Sequence, residues 1–372
     1  MADNSEKPVD LFKRYKFDAS IRKKIHEHTL YSKPDNWHGL VDILEDWSII
    51  FFFIFCTKYI FYFYSSLVLS LIFYLITICV IGARQRGLAD CLHQASHYCL
   101  ASNSSWNFFL GTFGSGYLIF QNFHGYKISH ARKHHSYLGT DKDPDYVELK
   151  ANGICGENRT SSNVKRYLLN LFAPTSCWKY LLYLLKHRIL TKNDDLWETY
   201  MRVLYLSGLL LIFIYTNNLL NLLFYWIVPY VTTNMWIGAF IELLEHYPMI
   251  ETAPRIDIFM SRNRLCGWLW NFFFGVHNEN YHLIHHMFPK IPEWEFHSVH
   301  KILMEDAIYA SLHQKQGWKA LLKDVIEVDD NTINIWYNCK KYQIYLETIA
   351  ADDKNDDHQH GFYNCTTQSF AM

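Results

Sequence analysis

Three things are scarce in this chain of 372 residues, and each scarcity removes a class of function. No excess of positive charge exists: 35 Lys and Arg stand against 36 Asp and Glu, a formal net charge of -1, so the basic face that nucleic acid requires is missing. No disulfide or zinc framework is visible either. The nine cysteines are odd in number and include no CxxC pair, and Cys56 and Cys79 fall inside apolar stretches, as suits a reducing compartment. Carboxylates are few around the histidine clusters described below, unlike soluble di-iron bundles, which present glutamates from their helices.

Charge of any kind is absent over two long runs. From Ser48 to Ile81 the only charged residue is Lys58, and Val203 to Ala239 has none. Each run is long enough for two membrane spans of roughly 17 to 20 residues. Thr216, Asn217 and Asn218 form a plausible turn within the second run. Four transmembrane helices in two hairpins are therefore expected. The first begins behind a polar, basic segment and does not read as a cleavable signal peptide. Lys13, Arg14, Lys16, Arg22, Lys23 and Lys24 precede the first hairpin, and Arg84, Arg86, Lys127, Arg132, Lys133, Lys165 and Arg166 lie between the hairpins. This bias predicts that both termini and the bulk of the chain face the cytosol. Sequons at Asn103, Asn158 and Asn364 would then stay unglycosylated.

What the chain has in abundance is grouped histidine. His93 and His97 in "HQASH" share a helix face at i and i+4. In "HARKHH", His130 and His134 share a face, and His135 points about 100° away toward a second ion. In "YHLIHHMFP", His282, His285 and His286 fall at i, i+3 and i+4, with Pro289 and Pro292 ending the helix. His246 in "LLEHYP" is a ninth candidate at the end of the fourth span. All lie at one side of the expected membrane. Eight or nine imidazoles exceed the four ligands of a tetrahedral zinc and imply two ions of roughly five or six coordination; imidazole suits Fe, Zn, Cu and Ni. Glu245 is either an outer partner of a ligand histidine or a helix-end carboxylate. His26, His28, His38, His187 and His313 show no such arrangement and read as surface residues.

HxxxH, HxxxHH and HxxHH, in this order with apolar spans between the second and third, resemble the membrane fatty acid desaturase and hydroxylase superfamily, in its acyl-lipid desaturase-like branch. "HARKHHSYLGTDKDPDYV" is similar to the second box with its Asp143-Pro144-Asp145, "HNENYHLIHHMFPKIP" to the third box, and Glu245-His246 to a further Glu-His ahead of it. The similarity runs from about Leu40 to Ala320. It implies an all-α integral membrane protein whose cytosolic helical cap holds a histidine-rich di-metal site. The implied ligands to two iron ions (Fe2+/Fe3+) are His93, His97, His130, His134, His135, His282, His285 and His286, with His246 a ninth. Asn278 is implied to hold a metal-bound water, and Asp145 to lie beside the ligands. The implied reaction is O2-dependent attack on an unactivated C–H bond of a lipid, most simply fatty acyl desaturation; hydroxylation of a lipid or small molecule and a non-catalytic regulator are the alternatives. The third box opens with His282 where front-end desaturases carry Gln, and no HPGG marks a fused cytochrome b5. A separate electron donor is thus implied, such as cytochrome b5 or ferredoxin with its reductase, and in a eukaryote the endoplasmic reticulum membrane.

The expected organisation is a polar cytosolic arm (1–40), a desaturase-like membrane domain (41–320) and a cytosolic tail (321–372). Two stretches stay open. Asn107 to Phe120 reads as a re-entrant pair of short helices or a buried core segment, and Arg166 to Arg188 as interfacial helices or packing on the cap. The tail, with its "DDHQH", reads as disordered and acidic.

Overall fold

A computed structural model describes residues 13–31, 33–64, 66–156, 160–190, 195–253, 255–313 and 316–326; the sequons at Asn158 and Asn364 and the tail beyond 326 lie outside them. Among the described residues the architecture is helical, and the β pairing is one isolated bridge, Lys13 to Ile256. Three helices are long and apolar enough to cross a membrane: Leu67–Ser96, Leu196–Tyr215 and the segmented run Leu219–Thr252. The helix His38–Phe63, expected as the first of four spans, has 26 residues. It pairs with Leu67–Ser96 through a buried hydroxyl contact, Thr57 Oγ1 to Thr77 Oγ1 at 2.5 Å. Its other side exposes Phe51, Phe52, Phe55 and Phe63, apolar surface that water would disfavour and lipid would not.

Local chemistry sets the breaks. Ser66 caps Leu67–Ser96 by accepting from the Leu69 amide, satisfying one of the free N–H groups at the helix start. Asn217, with φ 54, turns the chain between Leu196–Tyr215 and the next helix, a left-handed conformation that asparagine tolerates. Close approach is allowed where side chains are missing. A Cβ on Gly82 would lie 2.8 Å from the Asn234 backbone nitrogen and one on Gly87 2.5 Å from the Asp46 carboxylate, so Leu67–Ser96 packs against both neighbours at backbone distance.

The two open stretches resolve by burial. Within Ser104–Thr112 and Gly116–Ile119, Leu110, Tyr117 and Ile119 are buried, whereas Phe109 is exposed. Ser161–Asn170 and Pro174–Leu184 bury Val164, Tyr180, Tyr183 and Leu184 while exposing Leu169, Trp178 and Leu182. The arm helix Ala19–Tyr31 buries Ile21 and Ile25 and is tied to the third-box side by Lys24 to Glu305 (2.5 Å) and His28 to Glu295 (3.1 Å). His313 departs from its expected surface position: it is buried, bonded to Asn263 and the Tyr309 carbonyl at 3.0 and 2.8 Å.

Candidate metal centre

The end of Leu67–Ser96 delivers His93 and His97, and three further segments meet it. His130, His134 and His135 come from Ile128–His134 and the turn after it, His246 from the end of Met235–His246, and His282, His285 and His286 from His282–Met287. All nine sequence-predicted histidines come together, in two groups whose ligand atoms lie within 4.8 Å of one another: His93, His97, His130, His135 and His285, and His134, His246, His282 and His286. In the first group Nε2 of His285 is 2.9 Å from Nε2 of His93 and of His135, and His135 is 3.1 Å from His130. In the second, His134 is 3.1 Å from His246 and 3.3 Å from His286, and His282 is 2.9 Å from His246. The groups adjoin, with the rings of His135 and His286 stacked at 4.3 Å.

This partition differs from the helical expectation. Ile128–His134 is a π-helix, whose i→i+5 bonding widens the turn. His130 therefore pairs with His135 five residues on, while His134 turns to the other group. In the third box His282 and His286 serve one group and His285 the other, so the three do not converge on one point.

The rings are oriented from behind. Nδ1 of His93 lies 3.0 Å from Asp90 and 3.5 Å from Glu293; Nδ1 of His134 lies 3.0 Å from Asp143 and 3.1 Å from Asp145. Nδ1 of His246 faces the Met260 carbonyl at 3.1 Å, and that of His282 faces Glu245 at 3.4 Å. Glu245 is held in turn by the fully buried Arg264 at 2.8 Å. On a neutral ring such an acceptor places the proton on Nδ1 and leaves an Nε2 lone pair facing the neighbouring Nε2 atoms, as at His93, His246 and His282. Neutral imidazoles gain nothing from that contact. A cation between them would turn mutual repulsion into ligation, so the donor set fits a metal ion in each group.

Electrostatics agree. Burial and the neighbouring imidazoles push His97, His130, His135, His282, His285 and His286 well below the ordinary histidine range. His134 is the exception: burial works against its charge, but Asp143 and Asp145 outweigh that and raise it to about 9. Asp145 itself also meets the Tyr183 hydroxyl. Asn278 occupies a left-handed position, φ 71, in the turn before His282 and its amide bonds to none of the described residues.

Asp90 and Glu293 were not evident as site residues. Asp90 stands three residues before His93, a spacing that puts it on the same helix face; Glu293 arrives from a separate turn and left no local signal. His277 is another unforeseen buried ion. It is bonded to Asp46 at 3.0 Å and Asp42 at 3.4 Å, and Asp46 also meets Arg84 at 3.4 Å. Burial opposes its charge, yet Asp46 and Asp42 raise it well above the usual range, so it reads as an imidazolium locking the first long helix to the third box.

Comparison with known proteins agrees with this geometry. A family model described as fatty acid desaturase matches residues 69–318. The dihydrorhizobitoxine desaturase of Bradyrhizobium elkanii is 34% identical over 324 residues, covering 82% of this chain and 85% of the relative.

Proposed function

The chain belongs to the fatty acid desaturase family, and from that premise we propose that it is a multi-pass membrane desaturase whose two histidine groups hold two iron ions. The observation that carries this reading is the division of nine imidazoles into adjoining all-nitrogen groups, eight of them with Nε2 turned to another Nε2. Iron held there would supply the O2 activation that an unactivated C–H bond demands, since such a bond offers no handle for acid–base chemistry. The overall change removes two hydrogens from adjacent carbons: –CH2–CH2– with O2, two protons and two electrons gives –CH=CH– and two waters. The electrons come from a separate donor, cytochrome b5 or ferredoxin with its reductase.

The chain's own part is orientation and exclusion of water. Asp90, Asp143, Asp145, Glu245 and the Met260 carbonyl fix the tautomers, and burial of six of the nine histidines keeps bulk water from the reacting carbon. Exposed apolar faces on the long helices favour a substrate that enters from the bilayer, the long acyl chain expected from sequence among them. The relative's name gives dihydrorhizobitoxine and mentions no acyl lipid, so the family alone leaves the substrate class to the walls of the site. In a eukaryotic cell the protein would reside in the endoplasmic reticulum membrane with its termini and histidines cytosolic.

The test is metabolite and lipid profiling of cells with the protein, without it, and with His285→Ala. A product lighter by two hydrogens that requires His285 is expected. A product heavier by one oxygen would move the reaction to hydroxylation, and an unchanged profile with no iron in the purified protein would leave a non-catalytic role.

A further inference from the structure

One turn of helix away from the histidines lies a small buried cavity that the metal centre does not use. Its polar wall consists of Arg86, Gln121, Tyr126, Tyr180, Arg188 and Asn234. Ionisable side chains within membrane-spanning segments are costly and as a rule mark substrate or ion sites. Here two guanidiniums border one cavity. Each retains a carboxylate: Arg86 meets Glu279, and Arg188 is 3.7 Å from Asp145. Yet the Nε–H of both arginines is buried with no hydrogen-bond partner, as is Oε1 of Gln121. Arg188, Gln121 and Asn234 are 5%, 4% and 6% exposed. Leaving the two Nε–H donors unpaired costs about 1 to 3 kcal/mol each, more for charged groups, so the arginine side of the wall is built for something that accepts from it.

The backbone is adapted to present these groups. Arg188 sits in the π-helical turn Leu185–Ile189, and Asn234 ends another, Tyr230–Asn234; such widened turns recur at functional sites. Gly238 also lines the cavity, and a Cβ there would fall 2.7 Å from the Tyr180 hydroxyl. A single ring separates this wall from the metal centre. The Arg188 guanidinium lies over Tyr126 at 4.2 Å, and the same ring is 5.5 Å from that of His130 and 6.2 Å from that of His93 between centroids.

We infer that this cavity binds the carboxylate end of the substrate, so that the bond to be desaturated lies only a few bonds from an acid group and the substrate is a small carboxylate rather than the middle of a long acyl chain. The donors, two Nε–H groups with the Asn234 amide, match an acceptor-rich anion, while the Tyr180 hydroxyl is already committed to Glu242 at 2.6 Å. The inference rests on the histidine groups being the reaction centre, but its binding test does not.

The test uses the full-length, iron-loaded protein in detergent without O2, with hexanoate as probe, hexanamide as its neutral counterpart and hexyl phosphate as a different anion, each followed by its stabilisation of the protein against heat. Hexanoate should stabilise and hexanamide should not. Arg188→Gln should weaken hexanoate binding about 10- to 100-fold, the loss of a charged hydrogen bond. Asn234→Leu, similar in size and uncharged, should weaken it as well and serves should Arg188→Gln fail to fold. Equal stabilisation by hexanamide, a larger effect of hexyl phosphate, or unchanged hexanoate binding in the folded variants would overturn the assignment. Arg188-dependent binding by a protein that takes up no iron and forms no product would leave the pocket standing and remove the desaturase reading. Product formed from a long acyl chain with no hexanoate binding would remove the pocket alone.

Discussion

His134 is gripped from behind by two carboxylates, Asp143 at 3.0 Å and Asp145 at 3.1 Å, so the orientation of this candidate ligand depends strongly on its neighbours. Asp143→Asn should lower metal affinity at the four-histidine group by about 10- to 100-fold, read by metal analysis after dialysis against a graded chelator, with the five-histidine group unchanged. His285→Ala and His286→Ala, one residue apart, should strip different groups. Each purified variant is expected to lose metal from one group and to lose activity fully, and a variant that kept both metals would contradict the partition. Eight of the nine histidines were legible in the sequence because i, i+3 and i+4 repeats stand out in a single string, whereas the solitary His246 was legible from its place at the end of a span and the Glu-His it forms with Glu245. Which histidine shares an ion with which was not, because that depends on a backbone departure at Ile128–His134 that leaves no mark on spacing. The carboxylates behind the rings were legible only where a motif surrounded them, as at Asp145 and Glu245; Glu293 reaches His93 from a distant turn.

At the level of elements, Leu67–Ser96 is the spine, pressed on one side by His38–Phe63 and on the other by Tyr230–Asn234. Gly82 is the point of closest approach, where a Cβ would fall 2.1 Å from the Thr233 hydroxyl and 2.8 Å from the Asn234 nitrogen. Gly82→Leu should cost about 1 to 3 kcal/mol as an overpacked contact, seen as a lower thermal midpoint and reduced yield, and it should disturb Asn234 more than the distant His246. The long apolar helices could be read directly from uncharged runs. Their segmentation could not, since the stretch 219–239 reads in sequence as one uncharged run whereas its π-helical turns depend on what packs against them. The short helices of the cap, such as Pro144–Ala151, were equally hidden, because eight residues carry too little periodicity to register.

For the whole molecule, the sidedness expected from Lys and Arg predicts that Asn103, in a described and exposed sequon, remains unmodified in a eukaryotic host; a glycosidase-sensitive mass increase there would invert the topology. Acidity should act on the metal-free protein in a definite direction. Six of the histidines are held neutral in the fold by burial and by one another, but they protonate near 6.5 once unfolded. Below that value protons load the unfolded chain alone, so thermal stability should fall as pH falls. His134 runs the other way: its contribution is present below about 6.5 and is lost as pH rises through about 9. A melt of the metal-free protein that strengthened steadily from pH 7 to pH 5 would contradict the first trend.

The inward-facing nitrogens also bear on the life of the protein in a cell. A fold whose centre sets neutral imidazole nitrogens against one another is frustrated until a cation arrives, so if the groups hold iron as proposed, metal supply would govern survival of the chain as well as its turnover. Newly made copies in an iron-poor cell would open most readily where the four histidine-bearing segments meet, exposing apolar helix ends to the machinery that clears misfolded membrane proteins. Steady-state abundance measured at constant transcription should therefore rise and fall with iron, making the quantity of this protein a gauge of iron supply.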